Sequence, residues 1–431
     1  MKMFKVLLTV AGLFLLTGLI NPRVGAREAS ADPARTNLAT SWRLSPEIYI
    51  SGSTPASYEE QPAVAYNWSH AEYLVLWHNN RPVTQDIYAR RVSRSGQLLS
   101  WFTVSSASNC KYPAVAYNHT NDEYLVVWSQ YNASDARWEI YGRIIPWNAP
   151  GTNTPFLIAS WSSMNLELPV VAWNSYRNEY MVTWQTSLVT TSQLLGIGRR
   201  RLSNSGSFLS NADYITGEGT TNQGSPDISY NLAADGYLVV WVEPGASAIN
   251  VYGGRLTREG ALQGNKFAVD PVNNEQQKPA ITTNDQDRYM VVWQELVGSD
   301  WDIHGKEINS ATGAPLPTQY LVAIMADIDE TTPDIACNGS TQEYLTVWQQ
   351  STGSGEAIHA VRWGTNITPY SFEVAAGGFG DNKNPAVASD IPGYLVAYDW
   401  KSWTPGSDSD IYGHLWWPEV VYLPLVLRPS P

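Results

Sequence analysis

Four carboxylates flank one landmark of a repeated phrase: Glu60 and Glu167 stand two residues before, and Asp227 and Asp334 directly after, a proline that opens a short apolar run. Two such groups whose surroundings separate their pKa values can act as acid and base in cleaving a glycosidic bond. No repeat adds an arginine cluster to hold a charged substrate beside them, so an acidic rim in an acidic protein is the simpler reading. A second set joins indoles to acids: Trp138 and Glu139, then Trp161, then Asp300, Trp301 and Asp302, then Trp400, Trp403 and Asp408. A flat indole covers the apolar face of a pyranose while a carboxylate accepts bonds from its hydroxyls, so this set points to sugar binding. With 19 tryptophans in the chain, structural packing of the same residues stands beside that reading.

Other chemistries find less support. His304 and His359 sit at one repeat position in adjacent repeats, where packing is the expected role rather than a shared ion. Asp300 and Asp302, or Asp408 and Asp410, alternate as calcium-loop ligands do, but the glycine and terminal glutamate of that loop are missing. No serine–histidine–acid set and no glycine-rich phosphate loop is found. Neither a metal nor another cofactor is expected.

The elements that must carry these residues are written in the repeats. Pro62, Pro113, Pro169, Pro226, Pro279, Pro333 and Pro385 recur at intervals of 51 to 57 residues. Each opens a first strand, A, as in Pro113-Ala-Val-Ala-Tyr117. An Asn-led turn follows, then strand B ending on Trp77, Trp128, Trp184, Trp241, Trp293, Trp348 or Tyr398. Strand C is the Asp-Ile-Tyr-Gly-Arg run, and strand D a short aromatic-led run such as Phe102-Thr-Val104. β-Branched and aromatic residues dominate these runs and helical periodicity is absent. Four short antiparallel strands in a unit of this length make a propeller blade, and the expected fold is an all-β, seven-bladed propeller.

Framework positions read as packing and turn chemistry. The strand B tryptophans should fill the wedges between sheets. Asn67, Asn118, Asn174, Asn231, Asn284 and Asn338, with Asp390, should shape the A-to-B turns. Gly142, Gly253, Gly305 and Gly413 should let the next sheet approach. The last repeat has no strand D, while an orphan run, Ile48-Tyr49-Ile50, precedes the first repeat. Placing that run in the last blade closes the ring and removes two open edges. The D-to-A and B-to-C loops then share one face around the channel mouth, and the A-to-B turns the other. The carboxylates above belong to the first face, as do the indoles.

Residues 1–26 read as a secretory signal peptide, 27–46 as a flexible lead-in, 47–415 as the propeller and 416–431 as an apolar tail. No stretch reaches membrane-spanning length beyond that leader, whose Val6–Ile20 run is too short for a convincing span. Removing Lys2, Lys5 and Arg23 with the leader takes the net charge from −13 to −16, which argues against nucleic acid and other polyanions as partners. Cys110 and Cys337 occupy different places in repeats 2 and 6 and are expected to remain separate thiols.

The repeated Glu-Tyr-Leu-Val-Val-Trp, the Asp-Ile-Tyr-Gly-Arg run and a Ser-x-x-Gly turn (Ser93 to Gly96, Ser203 to Gly206) resemble a class of repeat in secreted bacterial β-propeller proteins. The resemblance spans Ile48 to His414 and implies the fold and export, but no settled activity. The signatures of tryptophan-aspartate repeats, kelch repeats and sialidases are missing. The expectation is a secreted or cell-surface, monomeric, non-catalytic binding or scaffolding protein. It would recognise a glycan or an extracellular protein through the D-to-A and B-to-C loop face. The alternative is a glycoside-active enzyme, a hydrolase or lyase, built on the four carboxylates.

Overall fold

Seven antiparallel sheets follow the seven repeats, in a computed structural model that describes residues 40–52, 58–80, 85–107, 109–216, 222–364, 367–378, 380–390, 392–404 and 407–420. Strand A comprises Glu59–Asn67, Cys110–Asn118, Met164–Asn174, Gly224–Asn231, Gln276–Thr283, Glu330–Asn338 and Gly380–Ser389 in blades 1 to 7. Strand B comprises Glu72–Asn80, Glu123–Asn132, Glu179–Leu188, Gly236–Pro244, Arg288–Val297, Glu343–Thr352 and Tyr394–Ser402. Strand C comprises Gln85–Ser93, Arg137–Pro146, Leu194–Ser203, Ile249–Thr257, Asp300–Asn309, Gly355–Gly364 and Ser409–Val420, and strand D of blades 1 to 6 Leu98–Ser105, Phe156–Ala159, Asp213–Tyr214, Phe267–Ala268, Pro315–Ala323 and Ile367–Ala375. Blades 1 to 6 have the order A-B-C-D, and strand A of each blade lies against strand A of the next, including blade 7 against blade 1. The ring is therefore closed, with the A strands innermost.

Strand B is buried on both faces, since a neighbouring blade covers each side; that is why its sequence runs apolar without alternation. The core divides into seven clusters, one per seam. Trp128 lies with Leu74, Leu76 and Val104 of blade 1, Trp184 with Leu125 and Ile158 of blade 2, and Trp77 with Leu395 and Ile411 of blade 7. Each tryptophan thus fills the wedge toward the preceding blade, contributing about 2–3 kcal/mol by burial.

The prolines stand inside strand A, not at its start. In every blade the pairing of A with B shifts at the proline, so two residues, such as Gln61-Pro62, oppose one, Trp77. Tyr112-Pro113 faces Trp128 in the same way and Lys278-Pro279 faces Trp293. The residue before the proline is left-handed all round the ring: Gln61, Tyr112, Leu168, Ser225, Lys278, Thr332 and Asn384 have φ between 49° and 57°. Seven β-bulges result, each placing a residue with no N–H where the ladder is interrupted.

The outer edge of blade 7 comes from the N-terminal segment: Ile48 pairs with Gly413 and Tyr49 with Tyr412. Thr40–Leu44, read from sequence as lead-in, also forms a strand on Ser409–Val420. The expected tail likewise begins inside that strand, since Trp416 is buried and stacks on Trp42 at 4.0 Å and on Phe372 at 4.7 Å. This aromatic stack ties the Thr40–Leu44 strand to its neighbour Ser409–Val420 and to blade 6, which a reading based on repeat boundaries misses. Residues 27–39 of the lead-in, the signal peptide and residues 421–431 fall outside the described residues.

The framework glycines make room chiefly within their own blade, although a Cβ on Gly305 would also meet Trp363 of blade 6, the next sheet. A Cβ on Gly142 would meet Ile158, and one on Gly253 would meet Phe267, both from strand D of the same blade. The turn asparagines do more than shape turns. Asn118 Oδ1 accepts the Thr120 amide while its Nδ2 donates to Asn178 of blade 3, and Asn231 Nδ2 donates to Thr283 of blade 5. No disulfide joins Cys110 and Cys337.

Candidate functional site

The bulges create the channel mouth. Pro62, Pro113, Pro169, Pro226, Pro279, Pro333 and Pro385, with the left-handed residues before them, line a cavity of about 280 Å³ on the axis. The inner edge of strand A has no further strand to pair with, so its amides need other acceptors. Side chains of the preceding blade supply them. Gln185 accepts from the Ser225 amide, Gln294 from Thr332 and Asp399 from Gln61. Asp227 accepts from Ile228 in its own strand and from Ile281 in blade 5, at 2.8 and 2.9 Å. Asp334 repeats this with Ile335 and Val387, at 2.8 and 2.7 Å.

Of the four candidate acid–base residues, Asp227 and Asp334 are thus inter-blade latches, although burial pushes their carboxyls up to about 7 and about 6. The Asp227 carboxyl also feels the charge of Asp334. Glu167 is held by Lys111 at 2.7 Å. Glu60 lies 4.0 Å from His78, whose pKa falls to about 4 chiefly through burial and secondarily through Lys111. Among the described residues no three His, Cys, Asp or Glu side chains converge as they would around a metal ion. His304 meets Gln319 at 2.8 Å and His359 lies 3.8 Å from Glu373, each within its own blade.

The indole set is less loop-like than expected, because strands B and C run further. Trp138, Glu139, Asp300, Trp301 and Asp302 are strand C residues, and Trp400 belongs to strand B. Glu139 and Asp302 are both buried, in stretches of strand C covered on both faces. Glu139 Oε1 is contacted by Arg137, Ser160 and Asn132. The Lys111 ammonium sits 3.8 Å from the Trp138 ring centre and covers one face. Trp161 packs against Trp184 and Tyr214, and Trp400 stands edge-on to Tyr412. The Trp301 amide donates to Asp329 at 3.0 Å.

Trp403 alone of these indoles is largely open, at 51 % exposure. Its Nε1 donates to Asp381 at 2.9 Å, and Lys383 lies 2.9 Å from the same carboxyl group. Hydrogen bonds from Trp403 and Lys383 hold the Asp381 carboxyl below its ordinary range against the opposing effect of burial, the largest single influence. Gly355, the first residue of strand C in blade 6, lies close against the ring. Trp403 with Asp381 and Lys383 is therefore the part of this face where an oriented indole meets polar groups. Asp408 lies half-buried in the same loop.

Two features escaped the sequence reading. Glu330 is buried, and burial, then the charge of Asp302, pushes its carboxyl up to about 8 against the opposing effect of the Met325 amide. On the opposite face, Trp68, Tyr117, His119, Trp173, Ser175, Tyr230, Leu232, Thr283 and Asp285 line a cavity of about 450 Å³. Its signal was the varied residue directly after each turn asparagine, hidden by the uniform length of those turns.

No family profile matches the sequence, and no curated protein does. Solved structures share the fold at low identity. A protein of unknown function from Dyadobacter fermentans is 8 % identical, covering 88 % of this chain and 99 % of its own, with a TM-score of 0.52. The polysaccharide lyase Uly1 is 8 % identical over 85 % of this chain and 91 % of its own, with a TM-score of 0.50. This likeness shows the seven-bladed fold and nothing of the chemistry.

Proposed function

We propose that this chain is an exported, monomeric, non-catalytic binding propeller that recognises a glycan, free or on an extracellular protein, through its D-to-A and B-to-C loop face. The observation that carries this reading is Trp403: an exposed indole fixed by its bond to Asp381 over the seam of blades 6 and 7. A pyranose stacked on that ring would find an acceptor in Asp381 and a donor in Lys383, the combination sugar sites use. Catalysis is the second reading. Asp227 and Asp334, at about 7 and about 6, have the proton affinity a general acid needs, and a polysaccharide lyase shares the fold. Against it, both carboxylates are already bonded to two backbone amides each.

Glycan-array binding separates the contributions. Trp403→Ala is expected to remove binding, and Trp301→Ala, at a half-buried residue in strand C of blade 5, to affect it less. Full binding by the Trp403 variant would exclude this site.

A further inference from the structure

We propose a second binding site at the opposite mouth of the channel, an aromatic cup that takes a small organic cation of the quaternary ammonium class. The cup is assembled by a repeated local device. In blades 1 to 5 the turn asparagine is buried and its Oδ1 accepts turn amides, as Asn67 does from Ser69 and His70 and Asn231 from Ala234. The residue before it forms the wall and the residue after it the rim. The walls are Tyr117, Trp173 and Tyr230; the rim is Trp68, His119, Ser175, Leu232 and Asp285.

What these groups present is ring surface. The Tyr117 hydroxyl is spent on Ser69 and Asp122 at 2.8 and 3.0 Å, and the Tyr230 hydroxyl on Asp235 at 3.0 Å. His119 stands edge-on to Trp173 with ring centres 4.7 Å apart. Thr283 is also occupied, accepting from Asn231 and donating to the Arg288 carbonyl. Few polar groups are left to satisfy the many hydroxyls of a sugar. A cation without N–H groups asks for none: it needs aromatic faces and a negative charge.

Asp285 supplies the charge. It sits on the blade 5 turn with φ of 57°, its amide held by Thr283 at 3.0 Å, and it is solvent-accessible in the cup. Among the described residues no lysine or arginine acts on its carboxyl; surrounding protein raises its pKa and only the Leu232 amide opposes this. A bound cation would provide the missing counter-charge in a protein whose net charge is −13.

The test uses the full chain and titrates choline and tetramethylammonium against 3,3-dimethylbutan-1-ol, the neutral isostere of choline, by calorimetry or ligand-observed NMR. Saturable binding of both cations, with the isostere binding at least about tenfold more weakly, is the expected result. Trp68→Ala and Asp285→Asn should each weaken choline about tenfold. Trp68 is 52 % exposed, so its removal should leave the melting temperature unchanged. Choline binding without co-sedimentation on phosphatidylcholine vesicles assigns the ligand to a free solute, and choline-competed co-sedimentation assigns it to a lipid headgroup; either supports the site. Equal binding of the isostere, Trp68-dependent binding of methyl glycosides in place of cations, or absence of saturation overturns it. Trp403→Ala should leave choline binding unchanged, so failure here is separate from failure of the glycan reading.

Discussion

Single carboxyl groups hold this ring together in ways that depend on pH. Asp334 links blade 6 to blade 7 through the Val387 amide, and Asp334→Ala leaves that amide and the Ile335 amide without acceptors. A loss of about 2 kcal/mol in chemical denaturation is expected, with a smaller loss for Asp334→Asn, which keeps one acceptor oxygen. Glu330, also raised by burial, makes no such link between blades. Its carboxyl rises from 4.5 to about 8 on folding, so the folded state holds a proton that the unfolded chain releases. Below pH 4.5 both states are protonated and nothing is lost; as pH rises from there toward 8, stability falls. Glu330→Gln should therefore raise the melting temperature at pH 8 by about 2 °C or more and change it little at pH 4.

At the scale of the strand, one bulge repeated seven times explains why proline and tryptophan travel together. The bulge sets two residues against the tryptophan, and proline fits there because it has no N–H to leave unpaired. The residue before it carries the strain, most of all the β-branched Thr332 at φ of 54°. Thr332→Gly is expected to stabilise the protein by up to about 1 kcal/mol, the relief of a left-handed side chain less the added chain entropy of glycine. An unfolding curve shifted the other way would mean that Thr332 makes a stabilising contact outweighing that relief. The repeated proline was legible in the sequence but its bulge was not, because a proline opening a strand and a proline interrupting one leave the same apolar run behind them. The reach of strands B and C was hidden for a related reason. Trp138 and Trp301 sit among polar residues that look like loop, and only the pairing of Tyr131 with Trp138 and Leu296 with Trp301 places them in sheet.

Across the whole molecule, blade number and closure were readable because seven registers agree and one blade lacked an edge. The candidate sites were harder to read, since Trp403 and Trp138 are equivalent by composition. They differ only in that Asp381 orients the first while Lys111 covers the second. Closure itself predicts cooperativity: removing residues up to Tyr49 strips the edge from Ser409–Val420 and breaks the Trp42–Trp416 stack. The melting temperature should drop by about 10 °C or more, in one transition, and an unchanged melt would mean the ring does not rely on its latch. The most direct test of the functional account incubates the purified chain with the glycan it binds most tightly on an array, then measures affinity and glycan mass together. The account predicts saturable binding, weakened about tenfold or more in Trp403→Ala, with glycan mass unchanged. Cleavage of the glycan that disappears in Asp227→Asn, or wild-type affinity in Trp403→Ala, would contradict it.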